Sequence, residues 1–426
     1  MNRQATRSKI LLTEGASLSA RHTLYALGGG HTIDILDPDP LCQCRFSRHV
    51  RRWYRAPRFA KEPEEFLRFL ADLLRRERYD VVLPTHEQVY LLSRFRDAVG
   101  RRAGLALPDF AAMEKMQHKG HYTRTLAELG LPYPETVFIH HRSELDGDWQ
   151  YPFFLKLAHS TAGAGVFPIH NVDELRERAD ALDREGFFNG KSEALVQQPA
   201  RGIQATIQAV FQNGRLIGSH CFDSRQLGVG GMSAARVGAD HPIVRDQIAR
   251  LGTHLNWHGA MFIDYFYDHE TGRPEYIECN PRIGETVNAW LSGTNLPEQL
   301  VRVSLGQDPE PLPLGQVGLR TQSFYMILLT LARDGAGRLR LLREWRDMLF
   351  RRGLYEDSTD ELTRPRDDLP SVLPLIWISL QLLIWPRIAR RIVRKTVENY
   401  SLPESATERI KAISLEEFDR MFEASP

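Results

Sequence analysis

The sequence predicts an α/β domain, then an α+β region, then a mainly helical C-terminal extension. Three observations carry this reading. Between residues 8 and 110, short apolar runs alternate with helix-like segments, the pattern of βαβ units on a parallel sheet. From Met113 onward, strand-like runs follow one another with Asn213-Gly214 and Thr271-Gly272 between them, which is hairpin chemistry and points to antiparallel sheets. Over the last hundred or so residues, basic helical stretches surround one long apolar run.

In the first region KILLT, HTIDILD and DVVLP read as strands, with helices over Ala16 to Leu27 and Pro63 to Arg78. The turn EGASLSARHTLYALG lacks the paired glycines of a dinucleotide fingerprint. KMQHKGHYTRTLAELGLPYPETVFI reads as a helix stopped at Gly130, a Pro-bracketed turn and a strand. Further strands are expected at YPFFLKL, EALVQQ, ATIQAVFQNGRLIGSHCF, GAMFIDYFYD and PEYIECN. The C-terminal stretch adds the acidic DSTDE segment, the apolar run VLPLIWISLQLLIW and a short polar tail.

With 426 residues and 42% hydrophobic content, the chain can bury a core large enough for several domains. Its 55 basic and 54 acidic side chains leave a net charge of +1, so no global field draws it to nucleic acid. Cys42, Cys44, Cys221 and Cys279 have neither the number nor the spacing for a disulfide framework or a four-thiolate zinc site. A reducing, cytoplasmic setting fits. The apolar run around Ile10 to Leu12 is too short for a signal-peptide core.

Two clusters carry chemistry. Glu278 and Asn280, two apart in PEYIECNPR, project from one strand face, and a hairpin partner sets Asp264 of FIDYF beside them. Two carboxylates and an amide oxygen make a hard oxygen site suited to Mg²⁺, with Mn²⁺ as the alternative ion. A solvated polar strand face is the competing reading; apolar Ile263 and Ile277 beside the acids speak against it. In FFLKLAHSTAGAGVFPI, a strand carrying Lys156 enters a small-residue loop. Gly163 and Gly165 there let backbone amides approach a phosphate that Lys156 neutralises.

Taken together, these residues resemble the ATP-grasp superfamily over about residues 8 to 308, especially the branch of carbamoyl-phosphate synthase, biotin carboxylase and small carboxylate-amine ligases. The resemblance implies a pre-ATP-grasp α/β domain (1–112), a lid subdomain (113–195), a core subdomain with the metal site (196–312) and an extension (313–426). ATP would be clamped between the two subdomains. By the same resemblance Lys119 is the first ATP-contacting cation, Lys156 the α-phosphate lysine, and Ser160, Thr161, Gly163 and Gly165 belong to the lid loop. Gln197 and Gln198 stand on the hinge strand at the adenine edge, where the backbone reads the exocyclic amine. Gln204 occupies the place of a ribose-binding glutamate. Asp264, Glu278 and Asn280 match the magnesium ligands, and Arg282 matches the arginine that holds the transferring γ-phosphate. Arg225 and Arg236 sit where relatives place substrate or phosphate arginines, a solvated loop being the alternative.

The implied activity is a carboxylate–amine ligase that spends ATP to ADP and phosphate on small-molecule substrates. A non-catalytic ATP-binding regulator or scaffold is the alternative, against which the retained acidic cluster speaks. Thr85, His86 and Glu87, after the strand DVVLP, are candidates for a substrate cleft or a plain loop. Cys279, alternating to the opposite strand face from Glu278, is expected in the core. His254 and His258 lack an HExxH pattern. Residues 331 to 395 hold 14 basic and 9 acidic side chains around the apolar run. A buried helix is the favoured reading of that run. The minority reading is peripheral contact of residues 371–395 with the inner face of a membrane.

Overall fold

The computed structural model describes residues 7–159, 165–190, 192–362 and 366–423, those of 396–400 and 423 by backbone alone. Strands Lys9–Leu12 (β1), Thr32–Asp37 (β2), Val50–Arg55 (β3) and Val81–Leu83 (β4) form a parallel sheet in the order β3-β2-β1-β4. Its helices are built as their sequences dictate. Ser17 caps Leu18–Leu27 by accepting from the Ala20 amide, and Pro63–Arg76 begins with proline and two glutamates and ends with two arginines. β3 was not foreseen, because VRRWYR carries too many arginines to read as a strand. It is an edge strand, paired only with β2, so its cations reach solvent and Arg51 Nε donates to Asp34 Oδ1 at 2.9 Å.

The expected single helix around Lys119 is two. Phe110–Gln117 and Lys119–Glu128 break at His118, whose backbone is extended (φ −91°, ψ 116°) and whose Nδ1 caps the second helix. Lys119 therefore starts a helix instead of riding mid-face. Thr136–Ile139 (β5), Phe153–Leu157 (β6), Val166–Ile169 (β7) and Ala194–Gln197 (β8) then make an antiparallel sheet in the order β5-β8-β6-β7.

The largest sheet has seven strands. Ile203–Gln212 (β9), Arg215–Leu227 (β10), Ser233–Ala239 (β11), Gly259–Asp268 (β12) and Arg273–Asn280 (β13) pair antiparallel. Asn213 and Gly214 close β9 on β10 at φ 47° and 80°, the two positive values a type I′ turn needs. Two strands come from the stretch expected to be helical: Arg320–Gln322 (β14) pairs with β11, and Ser358–Asp360 (β15) extends the sheet edge. At three residues each, they are too short to leave a periodic signal.

The apolar run forms the helix Leu369–Ile384, and burial accounts for one of its faces only. Val372, Leu375 and Leu382 are buried, whereas Trp377 is 63% exposed and Trp385, just past its end, 68%. Among the described residues no helix is long and apolar enough to cross a membrane. The tail, expected to be polar, forms Glu404–Ala412 and Leu415–Glu423, amphipathic helices that return to the first domain. Ile410 and Phe418 join Leu67 and Phe95 in one core, with the Phe95 and Phe418 rings edge to face at 5.4 Å.

Candidate functional site

The hairpin β12–β13 sets Asp264 directly opposite Glu278 and Phe262 opposite Asn280, with a bulge between Asp264 and Tyr265. Asn280 Nδ2 lies 3.5 Å from Asp264 Oδ2. From β9, Thr206 donates its hydroxyl to Asp264 Oδ1 at 2.6 Å. Burial pushes the Asp264 carboxyl up to about 7; the Thr206 bond works against this, and the charges of Glu278 and Glu285 add to it. Cys279 alternates to the opposite face and packs in the core with Ile263 and Tyr276.

Cations approach this face from the smaller antiparallel sheet and its helix. Lys119 Nζ is 3.1 Å from Glu278 Oε1, and the Lys119 amide donates to Ala158 O at 3.1 Å. Lys156 on β6 donates to Gln197 Oε1 at 2.5 Å, and burial, reinforced by the Lys119 charge and opposed by Glu278, lowers its ammonium to about 8. Gly165 accepts from the Leu157 amide at 2.8 Å. Ser160, Thr161 and Gly163 lie outside the described residues.

The glutamines are engaged by protein partners. Gln197 Nε2 donates to Thr136 Oγ1 at 2.9 Å, the Gln198 amide to Glu135 O at 2.9 Å, and Gln204 Nε2 to Gly231 O at 2.9 Å. Gln204 lies opposite Phe266, two residues along β9 from Thr206, so it shares the sheet face of Asp264. Gln198 turns away, its Nε2 reaching Gln150 O at 3.2 Å.

Arg282 ties this face to the N-terminal domain. Its Nε donates to Glu87 Oε1 at 3.2 Å, Nη1 to Ser19 Oγ at 3.4 Å and Nη2 to Asn280 Oδ1 at 3.4 Å, while its Cζ stands 5.0 Å from the Phe262 ring centroid. Glu87 follows β4 at its carboxyl end, and Thr85 beside it donates to Glu14 Oε1 at 2.9 Å. Arg236 is buried rather than solvated. Its Nη2 donates to Glu285 Oε2 at 2.6 Å and its Nη1 to Glu361. Arg225 is exposed. Glu285, Glu361 and His22, whose Nε2 lies 3.8 Å from Glu361, escaped sequence reading. GETVNAW and DSTDE carry no motif, and no local spacing links residue 22 to residue 361. His258 accepts from the Asn213 amide at 3.3 Å, well away from the acids.

No family model matches the sequence. Acetyl-CoA carboxylase 2 of Arabidopsis thaliana is 27% identical over 175 residues, 39% of this chain and 7% of its own length. The bifunctional enzyme MurC/Ddl of Chlamydia trachomatis serovar D is 29% identical over 246 residues, 50% of this chain and 30% of its own. The chain thus spans less than a third of either relative. Among solved structures, L-amino acid ligase from Bacillus licheniformis superposes with a TM-score of 0.53 at 16% identity, over 71% of this chain and 75% of that one. The biotin carboxylase domain of Hydrogenobacter thermophilus 2-oxoglutarate carboxylase, in complex with MgADP and bicarbonate, gives 0.55 at 17% identity over 71% and 70%. An acid-bearing hairpin on one sheet, a buried lysine on a second and these likenesses agree: the chain has the fold of the ATP-grasp enzymes it superposes on.

Proposed function

We propose that the chain is an ATP-dependent ligase that activates a carboxylate as an acyl phosphate, releasing ADP and phosphate, and couples it to an amine. The observation that carries this reading is the pairing of Asp264 with Glu278, flanked by Asn280, Lys119 and Arg282. The donor set fits Mg²⁺ or Mn²⁺: two facing carboxylates and an amide oxygen on a half-buried face, with the Asp264 carboxyl pushed toward neutrality by burial and by the neighbouring charges of Glu278 and Glu285, which a bound cation would offset. A bound Mg²⁺ supplies charge neutralisation at the phosphate oxygens.

The chain's own residues do the rest. Asp264, Glu278 and Asn280 would hold the ion, and Lys119 and Lys156 would balance the nucleotide's negative charge; phosphate beside Lys156 would strengthen the ammonium form that burial disfavours. Arg282 is held by Glu87 and Asn280, so its guanidinium is oriented before the γ-phosphoryl group arrives, which lowers the reorganisation cost of transfer. In this reading Ser160, Thr161, Gly163 and Gly165 cover the phosphates, Gln197 and Gln198 border adenine and Gln204 the ribose. Glu87 and Thr85 would face the substrates from the N-terminal domain. The test is a screen of carboxylate and amine pairs for ADP and phosphate release, with hydroxylamine added to trap the acyl phosphate. Release that needs both partners is expected; AMP and pyrophosphate as products would overturn the mechanism.

We further propose that residues 371–395 contact an anionic lipid surface. Leu373, Trp377, Leu380 and Ile384 form one exposed stripe at helical spacing, and the Ile384 carbonyl accepts from Arg338, beside which Leu339 is 74% exposed. Arg343, Arg346, Arg387, Arg390 and Arg391 stand exposed around it, and cations rimming an apolar face suit anionic headgroups.

A further inference from the structure

A second cluster of ligating side chains lies on the other face of the seven-stranded sheet. Asp223 on β10 is opposite Ala205 of β9, whereas its neighbour Phe222 is opposite Thr206, the residue bonded to Asp264. Successive strand residues point to opposite faces, so Asp223 faces away from the nucleotide-site acids. Two histidines from separate elements converge on it. His241 leads into the helix Pro242–His254, and His269 stands in the β12–β13 turn. His269 Nε2 is 3.0 Å from Asp223 Oδ2, His241 Nε2 is 3.6 Å from Asp223 Oδ1, and the three ligand atoms lie within 4.8 Å of one another.

His241 is 2% exposed, and among the described residues neither its Nε2 nor Asp223 Oδ1 has a hydrogen-bond partner. Two buried polar atoms facing each other without a bond are costly to maintain. Their separation is too long for a hydrogen bond. It matches the spacing of roughly 3.4 Å between two ligands that each bind a tetrahedral ion at about 2.1 Å. The other nitrogen of the ring is already committed: Nδ1 lies 2.7 Å from the Tyr265 hydroxyl, which in turn bonds the Cys221 thiol. In the tautomer whose Nδ1 donates to the Tyr265 oxygen, the Nε2 lone pair would face Asp223, as it does for a metal-bound histidine held by an outer partner. Stacking on Tyr267, with ring centroids 3.7 Å apart, fixes the plane of the imidazole.

We propose that Asp223, His241 and His269 bind a transition-metal dication of the Zn²⁺ class, at a site separate from that of the nucleotide's Mg²⁺. Two imidazoles and one carboxylate suit Zn²⁺, whereas Mg²⁺ selects oxygen ligands. The ligands come from a strand, a helix start and a turn, so the ion clasps three segments that sequence keeps apart. Its binding adds to the stability of the folded state by mass action.

The test uses the full-length chain, stripped with chelator and then held in excess Mg²⁺ so that the oxygen site is filled. Co²⁺ is titrated while its visible absorption is followed, and Zn²⁺ then displaces it. One equivalent is expected for the unaltered chain, with a rise in unfolding temperature on adding Zn²⁺. His269→Gln and Asp223→Asn should each weaken binding at least ~100-fold, and Tyr265→Phe, which alters only the outer partner, about tenfold. His269 is about half exposed, so metal-free His269→Gln should unfold close to the temperature of the metal-free parent. An unaltered chain that takes up no equivalent beyond Mg²⁺, or a His269→Gln variant that binds Co²⁺ as the parent does, would show the cluster to be an ion pair only.

Discussion

Glu278 meets Lys119 on one side and its register partner Asp264 on the other, so its charge serves both the lysine and any bound cation. Glu278→Gln keeps the shape and removes the charge, and we expect turnover of ATP to fall by at least about 10². Near-normal phosphate release retained in that variant would argue that the metal is held elsewhere. A pH dependence belongs to the same scale. His118 and His159 pack edge to face at 4.6 Å, and burial, with nearby positive charge, lowers His118 to about 2 and His159 to about 4. Both folded values lie below the unfolded value of about 6.5. Above that pH both states are neutral and nothing is lost. As pH falls toward 4, the unfolded chain takes up protons that the folded one refuses, so stability declines. Urea unfolding at pH 7.5 and pH 5 should differ, and His159→Asn should shrink the difference by ~1–2 kcal/mol. An unchanged difference would mean that His159 does not resist protonation.

Among the elements, the last two helices decide how the chain is held together. Phe418 packs against Phe95, Arg94 donates to the Lys411 and Ile413 carbonyls, and Ser192, just ahead of β8, donates its hydroxyl to Glu404 at 3.1 Å. These helices therefore bridge the parallel-sheet domain and the four-stranded antiparallel sheet. Phe418→Ala removes a fully buried ring and should cost about 3–5 kcal/mol, lowering the unfolding midpoint by several degrees. A midpoint equal to the parent's would show that the tail is dispensable to the fold. Little of this was legible in the sequence, because nine-residue helices give only about two and a half turns of periodicity. The β12–β13 hairpin was legible, since its spacing and turn are local.

At the scale of the whole molecule, the helix Leu369–Ile384 and the segment after it present an apolar, basic surface, while the face carrying Asp264 and Glu278 lies on the seven-stranded sheet. Flotation with liposomes containing anionic lipid should carry the protein, less so at high salt, and Trp377→Ser with Trp385→Ser should abolish it without lowering the unfolding temperature. Absence of the parent from the lipid fraction at low salt would sink the membrane reading.

By itself, the sequence determined what depends on neighbours in the chain. Alternation at period two set Glu278 and Asn280 on one face and Cys279 on the other, hairpin proximity brought in Asp264, and the strand before the glycine loop carried Lys156. Only the tertiary structure decided what depends on distant partners. Arg282 meets Glu87 across 195 positions, Arg236 meets Glu361 across 125, and three segments meet at Asp223. It also decided which face of Leu369–Ile384 is covered, because an apolar run says that burial is favourable but not whether protein or another phase supplies it.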